Sequence, residues 1–94
     1  MQSIEHAAAF MKDFKRVKAT PKHAKYIDGL LENVLELLIT NQPLLNNNKD
    51  HHLTGNWVGY RECHLKSDLL LIYKKTDNYV LRLARLGPLS ELFG

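Results

Sequence analysis

The spacing of apolar side chains changes once along this chain, and that change limits what the chain can fold into. Through residue 40 they recur every three or four positions; beyond residue 57 they alternate or run together. Over about residues 6–18, Ala7, Phe10, Met11, Phe14 and Val17 share one helical face, opposite Lys12, Lys15, Arg16 and Lys18. Thr20-Pro21 reads as an N-cap and first-turn pair for a second helix. That helix gathers Ile27, Leu30, Leu31, Val34, Leu35 and Leu38 and fades near Thr40 and Asn41, before Pro43. Two amphipathic helices joined this way make an antiparallel hairpin with one apolar face.

A polar loop over residues 44–56, rich in turn formers around Asn46-Asn47-Asn48, separates the two halves. Three strands are expected after it, over residues 57–65, 68–75 and 79–85, joined by tight turns at Lys66-Ser67 and Asp77-Asn78. Leu69-Leu70-Leu71-Ile72-Tyr73 is apolar on both faces, as a central strand with one side under helices requires. A short strand at residues 2–5 and a last helical turn at 90–93 complete the pattern. The expected class is α+β, with the two-helix hairpin packed on one face of a small antiparallel sheet. A chain of 94 residues without repeats reads as a single domain spanning 1–94.

No apolar run reaches the roughly 18 residues of a membrane helix, and the first residues lack the basic-then-apolar order of a signal peptide. Cys63 has no second cysteine to pair with. Mid-strand, it reads as a small buried hydrophobe. These features point to the cytoplasm. The net charge of +3 is unevenly spread. Residues 1–26 hold six Lys/Arg against two acids, residues 27–56 one against four, and residues 57–94 six against four. Such polarity suits an anionic partner such as RNA, although a solvated basic helix face gives the same count.

The chemistry is concentrated in residues 50–68, where three histidines, an arginine, acids and aromatics surround two glycines. Imidazole titrates near neutrality, so a histidine cluster is where proton transfer is plausible. With two-residue turns, Arg61 would face Ile72, Ile72 would face Leu83, and Leu70 would face Arg85. Arg61, Cys63, Leu70, Ile72, Leu81, Leu83 and Arg85 would then share one face, and Tyr60, Glu62, His64, Tyr73 and Arg82 the other. Strict alternation separates Arg61 from His64 unless a bulge shifts the register or His64 acts from the strand end.

Four blocks occur in fixed order: Asp50-His51-x-Leu53-x-Gly55-x-Trp57, Arg61-x-x-His64, Asp68-Leu69-Leu70-Leu71-Ile72-Tyr73, and Arg85-Leu86-Gly87 followed by Ser90-Glu91-Leu92-Phe93. Together they resemble the YafQ branch of the RelE superfamily, the small bacterial toxins that cleave mRNA on the ribosome. The resemblance covers nearly the whole chain and implies a RelE-like microbial RNase fold and a type II toxin. It also implies metal-free, cofactor-free RNA cleavage, in which the ribose 2′-OH attacks the adjacent phosphate while the enzyme supplies a base, an acid and cations.

Residue by residue, the resemblance carries catalytic or substrate-contacting roles onto His51, His64, Asp68 and Phe93, and phosphate contact more loosely onto Arg61 and Arg85. Each has a structural alternative. His51 can be a surface loop histidine, His64 can cap the turn through Asp68, and Phe93 can be core or can stack on a base. Trp57 reads as core, and Tyr60 is open between core and base stacking. One position departs from the pattern. The family usually reads Gly-Ser/Thr-His-Ser-Glu-Leu-Phe, and its histidine is the usual general acid; this chain has Gly87-Pro88-Leu89-Ser90-Glu91-Leu92-Phe93. Leu89 cannot donate a proton, and a lost general acid costs on the order of 10²–10⁴-fold in rate. An attenuated or inactivated toxin is expected.

The implied partners are a cognate antitoxin of the DinJ or RelB kind, the ribosome with mRNA in its A site, and operator DNA only through the antitoxin; no membrane is implied. The basic stretch 12–25 would form part of an antitoxin surface. A rival reading is a catalytically dead toxin fold that works by binding its antitoxin, in operon repression or as a decoy. A metal site from His51, His52 and His64 is disfavoured, because adjacent histidines point apart and no zinc-type spacing is present.

Overall fold

The computed structural model of the chain describes residues 3–76 and 79–93. The expected Asp77-Asn78 turn lies outside the described residues. In chain order come β1 (Ser3–His6), α1 (Ala8–Ala19), α2 (Pro21–Ala24), α3 (Ile27–Ile39), β2 (His51–His52), β3 (Arg61–Lys66), β4 (Leu69–Lys75), β5 (Val80–Gly87) and α4 (Leu89–Phe93). Single 3₁₀ turns at Asn46–Asn48 and Gly55–Trp57 shape the loop between α3 and β3. The α+β class is as the residue pattern implies.

The strands form one sheet in the order β1-β5-β4-β3-β2. Among the described residues only the β1–β5 pair is parallel, its two strands being separated in the chain by α1–α3 and β2–β4. Beneath one face lies the larger core: Phe10, Val17, Ile27, Leu31, Val34 and Leu38 from the helices against Cys63, Leu65, Leu69, Leu71, Tyr73, Leu81, Leu83 and Leu86. On the opposite face a smaller cluster joins Leu70, Ile72, Ala84 and Leu92, with Leu53, Trp57 and Tyr60 against it. β4 is apolar on both sides because helices cover one side, and α4 and the β2–β3 loop cover part of the other. Trp57 packs on this second cluster, meeting Tyr60 edge-on with centroids 5.2 Å apart, rather than being fully buried.

Several local expectations need correction. The helix expected from residue 20 is two helices, with Lys25 and Tyr26 between them. Pro21 does open the first of these, but Thr20 does not cap it. Its hydroxyl instead donates to the Arg16 carbonyl (2.9 Å), closing α1. α3 ends where expected, and Asn41 at φ 58° replaces the usual glycine. The Gln42 N–H bonds Leu37 (2.8 Å) and the Asn41 N–H bonds Leu38 (3.2 Å), a Schellman closure. The first post-loop strand begins at Arg61 rather than at residue 57, because residues 55–57 make a turn.

The register also differs from expectation. Arg61 pairs with Tyr73, not Ile72; Tyr73 pairs with Leu83; and Leu70 pairs with Gly87, not Arg85. Lys66 pairs with Leu69, so the β3–β4 turn is Ser67-Asp68 rather than Lys66-Ser67, and an extra residue in β3 between His64 and Lys66 takes back one of the two steps this adds. The β4–β5 pairing is already one step displaced at Lys75 and Leu81, and an extra residue in β5 opposite Ile72–Tyr73 adds another. Tyr73 consequently shares the helix-covered face with Cys63, Leu81 and Leu83, and Leu70 and Ile72 lie on the other, whereas the expected register puts Cys63, Leu81 and Leu83 with Leu70 and Ile72.

Candidate functional site

The second face of the sheet, away from the three N-terminal helices, carries a histidine–carboxylate cluster. β2 is only two residues long, and it brings His51 opposite Glu62. Glu62 and His64 are two apart on β3 and project to the same side. His51 Nε2 and His64 Nε2 each lie 3.6 Å from Glu62 Oε1. The Glu62 side chain is only 7% exposed, whereas His51 is half exposed and His64 about one-fifth. His51 Nδ1 sits 2.8 Å from the Lys49 carbonyl. A carbonyl only accepts, so Nδ1 holds a proton and Nε2, facing Glu62, is the atom free to exchange one.

The loop carrying His51 is tied to the strand carrying His64. Asn48 Nδ2 donates to the His64 carbonyl (2.8 Å), and its Oδ1 accepts from the Leu45 N–H (3.1 Å). Lys49, in the left-handed region at φ 49°, turns the chain so that Asp50 and His51 reach β3. Asp50 anchors it further. Its carboxylate accepts from Arg61 Nε (3.1 and 3.2 Å), Arg61 Nη2 (3.0 Å) and the Tyr73 hydroxyl (2.5 Å). Arg61 Nη1 also meets His52 Nε2 at 2.8 Å. The hydrogen bond to Asp50 raises the Arg61 pKa, while burial, followed by the bond to Asp50, pushes the Tyr73 phenol well above its usual range.

The site residues expected from sequence thus fall into separate places. His51 and His64 come together through Glu62. Arg61 lies across the sheet from them in the Asp50–Tyr73–His52 network, lining a cleft of about 560 Å³ under Pro43 and Leu44. Asp68 stands at the β3–β4 turn, where Lys22 from α2 hydrogen-bonds it and holds its carboxyl below the usual value. Among the described residues no hydrogen bond or ion pair links Asp68 to His51 or His64. Arg85 is the Cα partner of Ile72, Ile72 of Glu62, and Glu62 of His51, so these four form one row across the sheet. The Arg85 guanidinium is bonded to Asp13 through Nε (2.6 Å) and Nη2 (3.1 Å).

α4 is fastened to this face by Leu92, buried in the cluster with Leu70, Ile72 and Ala84. Leu89 and Phe93, four apart and therefore on one side of the helix, are 59% and 42% exposed. Phe93 is accordingly not a core residue. Lys74 and Arg82 add cations on the same face: Lys74 Nζ lies 5.4 Å from the Tyr60 ring centroid, and Arg82 bonds Glu5 (2.5 Å) and Tyr60 Oη (3.5 Å).

Glu62 was not among the residues picked out from sequence. Its signal was the Glu62-x-His64 spacing, which a strand puts on one side. Chemically, an anion buried between two imidazoles steadies whichever ring carries a proton and orients both Nε2 atoms. The arrangement suits acid–base transfer at a partner placed over Ile72, with Arg85 at the far end of the row. Among the described residues no three His, Cys, Asp or Glu side chains are grouped to hold a metal ion.

The family described as "Bacterial toxin of type II toxin-antitoxin system, YafQ" matches residues 2–94. The chain is 42% identical to the mRNA interferase toxin YafQ of Escherichia coli K12 over 94 residues, covering 99% of this chain and 97% of that protein. The crystal structure of YafQ from E. coli BL21(DE3) superposes with a TM-score of 0.85 at 40% identity, covering 100% of both chains. YafQ in the E. coli DinJ–YafQ complex gives 0.81 at 37% identity, again covering 100% of both.

Proposed function

The chain belongs to the YafQ family of bacterial type II toxins, and on that premise we propose that it is a ribosome-dependent mRNA endoribonuclease attenuated at Leu89. The observation that carries this reading is the convergence of His51 and His64 on the buried carboxylate of Glu62, on the face where α4 presents Leu89 and Phe93. In the proposed reaction an imidazole Nε2 of this pair takes the proton of a ribose 2′-OH. The 2′-oxygen bonds to the adjacent phosphorus, the bond from phosphorus to the 5′-oxygen breaks, and the leaving oxygen takes its proton from water. Arg85, with Lys74 and Arg82 nearby, offsets the charge developing on the phosphorane. Phe93 stacks on a base. Asp68, held by Lys22, contacts the RNA from the turn end, and Arg61 acts by holding Asp50 rather than by touching phosphate. No step draws on a metal or cofactor.

In this reading the protein works in the cytoplasm and binds an antitoxin of the DinJ kind, and it reaches operator DNA only through that antitoxin. Among the described residues no helix is long and apolar enough to cross a membrane. At the position where the resemblance implies a general acid, Leu89 leaves the leaving oxygen without a protein donor, so turnover is expected to fall by about 10²–10⁴-fold. A second reading rests on that same residue: a toxin fold that only binds its antitoxin.

The deciding experiment compares the chain with its Leu89→His variant for growth arrest and for cleavage of ribosome-bound mRNA. Slow cleavage by the parent and fast cleavage by Leu89→His support the enzyme. No cleavage by the parent, together with a toxic variant, favours the binding-only reading. If Leu89→His also cuts nothing, the nuclease assignment is wrong. Within the Leu89→His background, Glu62→Gln should lower the rate about 10–100-fold, in proportion to the loss of a group orienting both imidazoles. An unchanged rate would remove Glu62 from the site.

A further inference from the structure

Asp13 is an acid in the middle of α1 with 2% exposure, placed where an unpaired charge would be strongly destabilising. Four donors meet its carboxylate: Arg85 Nε (2.6 Å), Arg85 Nη2 (3.1 Å), Arg16 Nη2 (2.6 Å) and the Leu86 backbone N–H (3.0 Å). The Leu86 bond has a topological cause. β1 pairs with β5 only along Val80 to Leu83, and the Ala7 N–H closes on the Leu83 carbonyl (3.0 Å) as the chain turns into α1. Beyond Leu83, no strand among the described residues neighbours β5 on that side, and Asp13 supplies the acceptor that a next strand's carbonyl would provide.

The same carboxylate grips Arg85 by its Nε/Nη2 edge, the side-on fork that carboxylates prefer. Arg85 Nη1 has no hydrogen-bond partner among the described residues. Arg85 stands two strands from Glu62 in the row His51–Glu62–Ile72–Arg85, about 10 Å away at ~4.8 Å per strand. Arg16 extends the grip, since its Nε bonds Glu91 of α4 (3.1 Å). One buried acid therefore ties α1 to the strand bearing Arg85 and, through Arg16, to the helix bearing Leu89 and Phe93.

We propose that Asp13 is a positioning residue that clamps the Nε/Nη2 edge of Arg85 and leaves its Nη1 edge for a phosphate oxygen of RNA. A guanidinium already fixed on one edge loses little rotamer freedom when an anion binds the other. The proposal rests on the reading of this face as an RNA phosphodiester site.

The test uses the full chain with ¹⁵N-labelled arginine and backbone amides. It is titrated with inorganic phosphate and with thymidylyl-thymidine, a phosphodiester that lacks the 2′-OH and cannot be cut. The expected result is a saturable shift at the Arg85 Nε–H. Asp13→Asn keeps an oxygen for the Leu86 N–H but loses the charge, and it should weaken binding about tenfold, as for loss of a hydrogen bond to a charged group. Arg85→Ala, read at the Ile72 and Glu62 amides, should lose as much, and the double variant no more than Arg85→Ala alone. Val34→Ala, which destabilises the helix-side core beside Leu65 and Asn48 and removes no group of the Asp13–Arg85–Arg16 network, should bind like the parent. No saturable shift at Arg85, normal binding by Asp13→Asn, losses that multiply, or an equal loss in Val34→Ala would each overturn the proposal. Shifts at Arg85 with none at His51, Glu62 or His64 would sink the RNA face while leaving the Asp13–Arg85 clamp standing.

Discussion

Tyr73→Phe removes one oxygen from a side chain that is 1% exposed, and its cost follows from what that oxygen does. The hydroxyl donates to Asp50 Oδ1 at 2.5 Å, and the same carboxylate holds Arg61 by three N–H contacts of 3.0–3.2 Å. A hydrogen bond to a charged group contributes about 1.5–3 kcal/mol. The ring would still pack against the helix-side core, and Arg61 remains to neutralise Asp50. The Asp50 side chain is also 25% exposed, so water can replace the lost donor in part. The low end, about 1.5 kcal/mol, is therefore expected. For a chain of 94 residues the total stability should be about 5–14 kcal/mol. At roughly 4–8 °C per kcal/mol, Tyr73→Phe should melt about 6–12 °C below the parent by circular dichroism. Asp50→Asn should cost about 1–3 kcal/mol, discounted from the cost of breaking a fully buried pair because both partners are a quarter to a third exposed. The two residues touch, so the double variant should show a coupling of about 1 kcal/mol. Amide exchange at His51 and His52 should quicken in both single variants, since Asp50 anchors their segment. A melting point within 2 °C of the parent, or fully additive effects, would refute the claim that Tyr73 and Arg61 jointly hold Asp50.

Two further outcomes are expected. Burial alone would push the Asp13 carboxyl up, but hydrogen bonds from Arg85, the Leu86 N–H and Arg16 outweigh it and hold the group below its ordinary 3.8. The stability it contributes is therefore present above the unfolded value and lost as pH falls through the lower folded value. The parent should lose stability below about pH 4 in urea titrations, and Asp13→Asn should show a shallower loss; parallel curves would contradict this. Cys63 has no exposed surface, and burial pushes its thiol up to about 12, so a thiol reagent at pH 8 should modify it only at the rate of unfolding. Rapid labelling of the folded chain would contradict the packing of β3.

Periodicity is a local property, and what depends on it was legible from the residues. The helical stripe through Phe10, Phe14 and Val17, the doubly apolar β4, the close of α3 at Asn41 and the buried Cys63 all follow from spacing and burial. Glu62 was legible in principle, from its two-residue offset to His64. The split between α2 and α3 was not, because apolar positions on either side of Lys25 and Tyr26 keep a helical spacing through the break.

By itself, then, the sequence determined the α+β class, the amphipathic faces of α1 and α3, the apolar β4 and the segment that holds the histidines, since those depend on neighbours within a turn or two. Only the tertiary structure decided which groups meet. A β3–β4 turn one residue later than expected, a displaced β4–β5 pairing and one extra residue in each of β3 and β5 together put Arg61 opposite Tyr73 and Arg85 in the row with Glu62. A one-residue slip changes which cross-strand side chains share a face, and a bulge has no signature in hydrophobic pattern. The same holds for the arginines. In the sequence Arg61 and Arg85 look like free cations beside a histidine cluster. In the fold each is taken by a carboxylate far from it in the chain, Asp50 for one and Asp13 for the other, because a guanidinium leaving water needs a counter-charge and only chain topology determines which acid is within reach.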